Sequence, residues 1–303
     1  MKRLDEMEFV EVSSLYQKIF SNLIDITTIE KSYKELYSNY IDLINSGKKL
    51  KGGTLGRGEL KYGRNIIYGW FLEEIVKRAL LLNDSILSVN LFGDDKSHRI
   101  VENDNKIEIS GSKSTTPDFL IELKSGQKLL LELKSAAREV FTIKKSNVKA
   151  LSKEAGFQKI PTSIMMIDLV NATYDIKDLK YFISLKPFVN QRMEGQLCYD
   201  FPRPTKEIKY LIKDDFQDYV DMEIFSFEIV KKYILLSKAQ EMNLKKFKTI
   251  INQKIRLEEL QEQMELSYEE FQNKIKKIQA KYPQTLKSWE EIEKELNQIL
   301  KDK

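Results

Sequence analysis

Apolar positions recur at helical spacing through the first part of the chain. Val10, Leu15, Ile19 and Leu23, then Tyr33, Leu36, Tyr40 and Leu43, predict two helices within residues 8–45. A third helix is predicted over 65–82 (NIIYGWFLEEIVKRALLL), apolar on nearly every side apart from Glu73, Glu74, Lys77 and Arg78. A helix of that texture belongs inside a core. Beyond Asn83 and Asp84 the pattern changes to short β-type runs, SILSVNLFG, KIEISG, PDFLIEL and KLLLELKSA. Helical spacing returns in FTIKKSNVKALSKEAG, and IPTSIMMIDLV is a nearly continuous apolar run suited to a buried strand. Helix, strands, helix and strand in that order predict an α/β fold with a central mixed β-sheet flanked by helices.

From about Ser237 onward the pattern is almost wholly helical, with Leu257, Leu260, Met264, Phe271, Ile275, Ile278 and Tyr282 mostly three or four residues apart. Ser267 with Glu270 and Ser288 with Glu291 form capping-box signatures, and Pro283 marks a break. Two or three helices follow, which either cover the sheet or extend as a coiled-coil arm. The expected organisation is thus 1–64, N-terminal helices and a basic loop; 65–236, the core; and 237–303, a helical segment.

Composition narrows the chemistry. The 50 Lys and Arg residues exceed the 46 Asp and Glu residues too slightly for a uniformly basic binder, so the location of the positive charge matters more than its sum. No run of about 18 apolar residues occurs, and the start, MKRLDEMEF, lacks a secretory apolar stretch, which gives the expectation of a cytoplasmic protein with no membrane partner. One cysteine, Cys198, excludes an intrachain disulfide or a multi-cysteine metal site, and Cys198 itself reads as a small core side chain. The one histidine, His98, lies in a charged stretch (DDKSHRIVEND) and reads as a solvated loop residue. If the chain is an enzyme, carboxylates and lysines must carry the reaction.

The region 47–69 holds Gly47, Gly52, Gly53, Gly56, Gly58, Gly63 and Gly69, seven of the chain's 12 glycines. Lys48, Lys49, Lys51, Arg57, Lys61 and Arg64 accompany them against Glu59 alone. Glycine lets backbone N–H groups approach a phosphate while the cations supply counter-charge, and a hydrated connector has the same composition. Both readings stand, because GTLGRGEL lacks the Gly-Lys-Ser/Thr ending of a nucleotide-binding loop.

The chemistry concentrates in Pro117-Asp118, thirteen intervening residues, then Glu132-Leu133-Lys134. A Glu-x-Lys pattern means little alone, since Glu122-x-Lys124 and Glu207-x-Lys209 share it. Here, however, Asp118–Leu123 and Lys128–Lys134 are β-type runs around a turn containing Gly126. A hairpin centred on Gly126 sets Asp118 opposite Lys134 and diagonal to Glu132. Opposed Cβ atoms lie about 5 Å apart and diagonal ones about 7 Å, so one metal ion could bridge the two carboxylates. Alternation also puts the three side chains on one face. An internal ion pair without catalysis is the competing explanation. Two carboxylates and a lysine suffice for metal-assisted phosphodiester hydrolysis without histidine.

With the glutamate-bearing helix before it and the lysine-rich helix and buried strand after it, this arrangement resembles the PD-(D/E)xK (restriction-endonuclease-like) nuclease superfamily over residues 69–170. The resemblance implies Mg²⁺, with Mn²⁺ able to substitute, held by Asp118, Glu132 and the backbone carbonyl of Leu133, and Lys134 orienting the attacking water. It further implies a carboxylate from the preceding helix, for which Gly69-Trp70-Phe71-Leu72-Glu73 selects Glu73 over Glu74. Ser135, Arg138, Lys144, Lys145 and Lys149 fall where the family meets DNA, although the last three also suit a solvated helix face. A chain of this size is most similar to type II restriction endonucleases, which implies double-stranded DNA as substrate, a homodimer and a cognate DNA methyltransferase. A transposon-end or repair and recombination nuclease, a catalytically silent DNA-binding protein and a coiled-coil protein with an unrelated head are the alternatives.

Overall fold

The computed structural model describes residues 2–51, 54, 56, 58–93, 98–103, 106–109, 116–138, 140–190 and 196–220. The helices expected beyond Ser237, and Arg57, lie outside the described residues. Helix α1 (Phe9–Phe20) and helix α2 (Thr27–Asn45) occupy the two predicted N-terminal segments. At the start of α1 the Glu8 backbone N–H donates to the Glu11 carboxylate at 2.7 Å. Before α2 the Asp25 carboxylate accepts from the Thr27 N–H at 2.9 Å and the Thr27 hydroxyl at 2.6 Å. Each helix thereby satisfies amide hydrogens that its first turn leaves without partners.

A two-residue strand β1 (Lys49–Leu50) precedes α3 (Glu59–Leu80), a 22-residue helix whose buried residues include Ile67, Tyr68, Trp70, Phe71, Leu72, Ile75 and Val76. Burial on nearly all sides matches its sequence texture. The helix starts at Glu59 and not at Asn65, so the division drawn at 64/65 falls inside it. Packing accounts for the earlier start, because Tyr62 and Arg64 are buried against the N-terminal helices and outweigh the poor helix propensity of Gly63. A Cβ on Gly63 would sit 2.1 Å from the Tyr40 ring, so only glycine permits the approach of α2 to α3. The Tyr40 hydroxyl closes the contact on the Glu59 carbonyl at 2.6 Å.

Strand β2 (Ile86–Leu91) is followed by β3 (Ile100–Asn103) and β4 (Lys106–Ile109), which form a small sheet with β1. Then come β5 (Phe119–Leu123), β6 (Lys128–Ala136), β7 (Thr142–Lys144) and helix α4 (Lys145–Gln158). The helix expected from Phe141 is therefore preceded by a strand, since Thr142 and Ile143 find ladder partners in Asp200 and Tyr199. Strand β8 (Thr162–Asp168) is buried at every position, as its apolar run requires. Beyond it lie β9 (Thr173–Asp178), α5 (Leu179–Ile183), β10 (Phe188–Asn190), β11 (Gln196–Asp200) and β12 (Lys206–Glu207).

The main sheet has six strands in the order β12-β9-β8-β6-β5-β2, with β6 and β8 parallel and the other neighbours antiparallel. It is a mixed sheet flanked by helices, as expected. Leu129, Leu131 and Leu133 join one hydrophobic core with Tyr16 of α1, Tyr40 of α2 and Phe71 of α3, so the N-terminal helices are built onto the sheet. Leu130, Glu132 and Lys134 alternate onto the other side of β6. Among the described residues no helix is long and apolar enough to cross a membrane.

Substituting Gly63→Ala is expected to lower stability by about 1–3 kcal/mol, the usual range for overfilling a packed contact. The midpoint of urea unfolding measures it, and an unchanged midpoint would mean that the buried Tyr40 ring can yield.

Candidate active site

The β5–β6 hairpin places Asp118, Glu132 and Lys134 together. Its closing pair is Leu123 and Gln127, whose backbone N–H to carbonyl bond is 2.9 Å, and Gly126 occupies the last loop position with φ +84°. A three-residue loop ending in a left-handed glycine centres on Ser125, so the register is displaced by two residues from the one expected around Gly126. Phe119 pairs with Leu131, which sets Asp118 against Glu132 and not against Lys134. Because the displacement is even, all three side chains keep their common face.

Asp118 stands at the mouth of β5, its carbonyl accepting from the Phe92 N–H at 2.9 Å. Its Oδ2 accepts from the Leu133 N–H at 2.6 Å, which ties the carboxylate across to β6. Glu132 pairs through Oε1 with the Lys134 ammonium, while its Oε2 is buried with no hydrogen-bond partner. Asp118 and Glu132 are 9% and 7% exposed, whereas the Lys134 side chain is 34% exposed, so the cluster opens to solvent at the lysine.

Burial pushes the Asp118 carboxyl well above the usual carboxylate range, and the charges of Glu132 and Glu73 add to it. Burial likewise raises Glu132, although Lys134 opposes the shift. For Lys134, burial disfavours the ammonium, but Glu132 and Asp118 outweigh it and hold the charge in place. Asp118 and Glu132 thus sit beside one ammonium, at a point where one carboxylate oxygen lacks any donor. That donor set suits a hard divalent cation. Among the described residues no three His, Cys, Asp or Glu side chains form a ready-made metal cage. An ion bound by Asp118 and Glu132 therefore needs carbonyl, water or substrate oxygens as well, which is how Mg²⁺ is usually held.

Glu73 belongs to this group through its charge, whereas Glu74 bonds Arg78 at 3.0 Å and lies 3.9 Å from Lys77 on its own helix. His98 departs from the sequence expectation. Its side chain is 9% exposed, not solvated: Nε2 lies 3.1 Å from Glu73 Oε2, Nδ1 lies 2.6 Å from the Tyr33 hydroxyl, and the ring stacks on Trp70 with centroids 5.0 Å apart. Tyr33 and Glu73 are 65 and 25 residues away in sequence, and no local periodicity links them to His98. Its being the chain's one histidine was the available signal.

The basic residues divide. Lys49, Lys61 and Ser135 are exposed, and Lys144 is half-buried at the start of α4. Lys48 pairs with Glu102, Lys51 with Glu108 at 3.0 Å, and Arg138 with Glu6 at 3.7 Å. Arg64 is 8% exposed and bonds Glu8 and the Tyr37 hydroxyl, so it clamps the chain before α1 to α3 and does not reach outward to a phosphate. Lys145 and Lys149, one turn apart on α4, are buried and engaged within the chain, which corrects the reading of a solvated face. Cys198 is buried, as expected of a core side chain.

No family model and no curated protein matches this chain. Among solved structures it is similar to Hjc, a Holliday junction resolvase from Archaeoglobus fulgidus, at 12% identity and TM-score 0.31, covering 47% of this chain and 96% of that one. A protein designated SSO0001 is similar at 13% identity and TM-score 0.26, covering 57% of this chain and 78% of that one. Superpositions this loose carry no weight for function, and the site rests on its own geometry.

Asp118→Asn removes one crowded charge yet keeps an oxygen for the Leu133 N–H. A raised carboxyl binds its proton more tightly in the folded than in the unfolded chain, so ionised Asp118 costs stability as pH rises above its ordinary 3.8. In EDTA at neutral pH the variant is expected to gain about 0.5–2 kcal/mol in thermal unfolding. Added Mg²⁺ is expected to stabilise the wild type more than the variant. A variant that melts lower in EDTA would mean that charge crowding is not the dominant cost at this site.

Proposed function

We propose that this chain is a Mg²⁺-dependent endodeoxyribonuclease of the PD-(D/E)xK superfamily, acting on double-stranded DNA, and that it serves as a type II restriction endonuclease. The observation that supports it most is the buried, unpartnered Oε2 of Glu132 beside Asp118 and the Lys134 ammonium. A structural ion pair would be expected to leave no acceptor bare. The restriction role rests on the sequence resemblance, and a homodimer and a companion DNA methyltransferase follow from it as part of the same proposal.

In this reading Asp118, Glu132 and the Leu133 carbonyl hold the metal, Mn²⁺ being able to replace Mg²⁺. The bound ion supplies charge neutralisation at the phosphate and a water of lowered pKa. Lys134, kept charged by its carboxylate neighbours, donates hydrogen bonds to the attacking water and to the oxygen that gains negative charge as the P–O bond breaks. Burial of Asp118 and Glu132 excludes bulk water, which strengthens each of these interactions. Glu73 adds the charge of a third carboxylate. Lys49, Lys61, Ser135 and Lys144 are the accessible candidates for contacts to the DNA backbone, alongside Lys48, Lys51 and Arg138 if their surface pairs exchange for phosphates.

Incubation with mixed plasmid and phage DNA in Mg²⁺ is expected to give discrete fragments. Asp118→Ala and Lys134→Ala are each expected to lower cleavage by at least about 100-fold while retaining DNA binding in Ca²⁺. Undiminished cutting by either variant would remove the site. Faster cutting of a four-way junction than of linear duplex would replace the restriction role with a recombination one, and gel shifts without cutting would leave a DNA-binding protein.

A further inference from the structure

We propose that His98 is a positioning residue that holds the Glu73 carboxylate at the edge of the Asp118–Glu132–Lys134 cluster, with Tyr33 and Trp70 fixing the imidazole. This rests on the reading of that cluster as the reaction centre. An ionised carboxylate only accepts hydrogen bonds, so Nε2 carries the hydrogen and donates to Glu73 Oε2 across 3.1 Å. The Tyr33 hydroxyl at Nδ1, 2.6 Å away, holds the ring in the orientation that aims Nε2 at Glu73. Stacking on Trp70 at an interplanar angle of 15° removes the remaining freedom of the ring.

The backbone carries the second observation. His98 has φ +37°, a region that non-glycine residues seldom occupy and that persists where surrounding contacts over-determine it. Among the described residues those contacts come from Tyr33 of α2 and from Trp70 and Glu73 of α3. His98 also lies in the connection between β2 and β3, two residues before Ile100. One imidazole thus ties the start of β3 to α2 and to the helix bearing Glu73. The charge of Glu73 acts on Asp118, Glu132 and Lys134, raising all three.

The test combines variants at both ends of the bond with two readouts, steady-state cleavage of duplex DNA and Mn²⁺ affinity by electron paramagnetic resonance. His98→Ala is expected to lower kcat and weaken Mn²⁺ binding each by about 10-fold or more, as loss of a ligand-orienting partner commonly does, with KM for DNA unchanged. His98→Gln, whose amide can donate from nearly the same position as Nε2, is expected to recover most of both. The double variant His98→Ala/Glu73→Ala is expected to match Glu73→Ala alone, because a residue acting only through Glu73 has nothing further to lose. Losses that multiply in the double variant, or a His98→Ala protein equal to wild type in both readouts, would overturn the assignment while leaving the nuclease reading intact. If no variant or wild type cuts DNA but Mn²⁺ affinity follows this order, the positioning role stands and the nuclease reading falls. Absence of both cleavage and Mn²⁺ binding in the wild type overturns both.

Discussion

Asp118 and Glu132, set side by side in the interior beside the Lys134 ammonium, are the constraint around which this protein is arranged. Bringing carboxylates into a low-dielectric environment is expensive, and bringing two together costs more unless cations and donors meet them. The hairpin meets part of that cost with the Leu133 N–H and the Lys134 ammonium. It leaves one Glu132 oxygen without a donor. Such a cluster persists because the surrounding sheet is too well packed to let it relax: β6 is hydrogen-bonded to β5 on one side and β8 on the other, and Leu129, Leu131 and Leu133 anchor its opposite face in the core.

Helix α3 does two jobs that pull its composition in different directions. Its apolar bulk organises the N-terminal half, with Tyr68 and Phe71 packed against Phe9 and Tyr16. It also carries Glu73, whose charge helps raise the Asp118 carboxyl. The Arg64–Glu8 pair and the Gly63–Tyr40 contact set where that helix lies relative to α1 and α2, and hence where Glu73 sits. Cationic side chains near the start of α3 therefore serve different ends: Arg64 holds the fold together, while Lys61 remains at the surface.

Much of this was legible in the linear chain because it depends on local pattern. Alternation along 118–123 and 128–134 with a glycine between them announces a hairpin and assigns faces, and the unbroken apolar run at 162–168 announces a buried strand. The choice of Glu73 over Glu74 came from the resemblance, through the Gly69-to-Glu73 spacing, and stays part of the proposal. The segment after Asp178 showed no such pattern, because β10 to β12 are two to five residues long and β11 and β12 pair with distant segments, Thr142–Lys144 and Thr173–Tyr174. The exact opposition within the hairpin also escaped, since it turns on whether Gly126 occupies the middle or the end of the loop.

The sequence by itself determined that Asp118, Glu132 and Lys134 share one face of a hairpin, since side-chain direction in a strand depends only on parity and a shift of two residues leaves parity untouched. Tertiary structure alone decided which carboxylate opposes which, that Arg64, Lys145 and Lys149 turn inward, and that His98 leaves solvent to bond Glu73. Those outcomes depend on contacts between segments far apart along the chain. Burial and pairing energies at such distances are properties of the packed fold, and no window of neighbouring residues contains them.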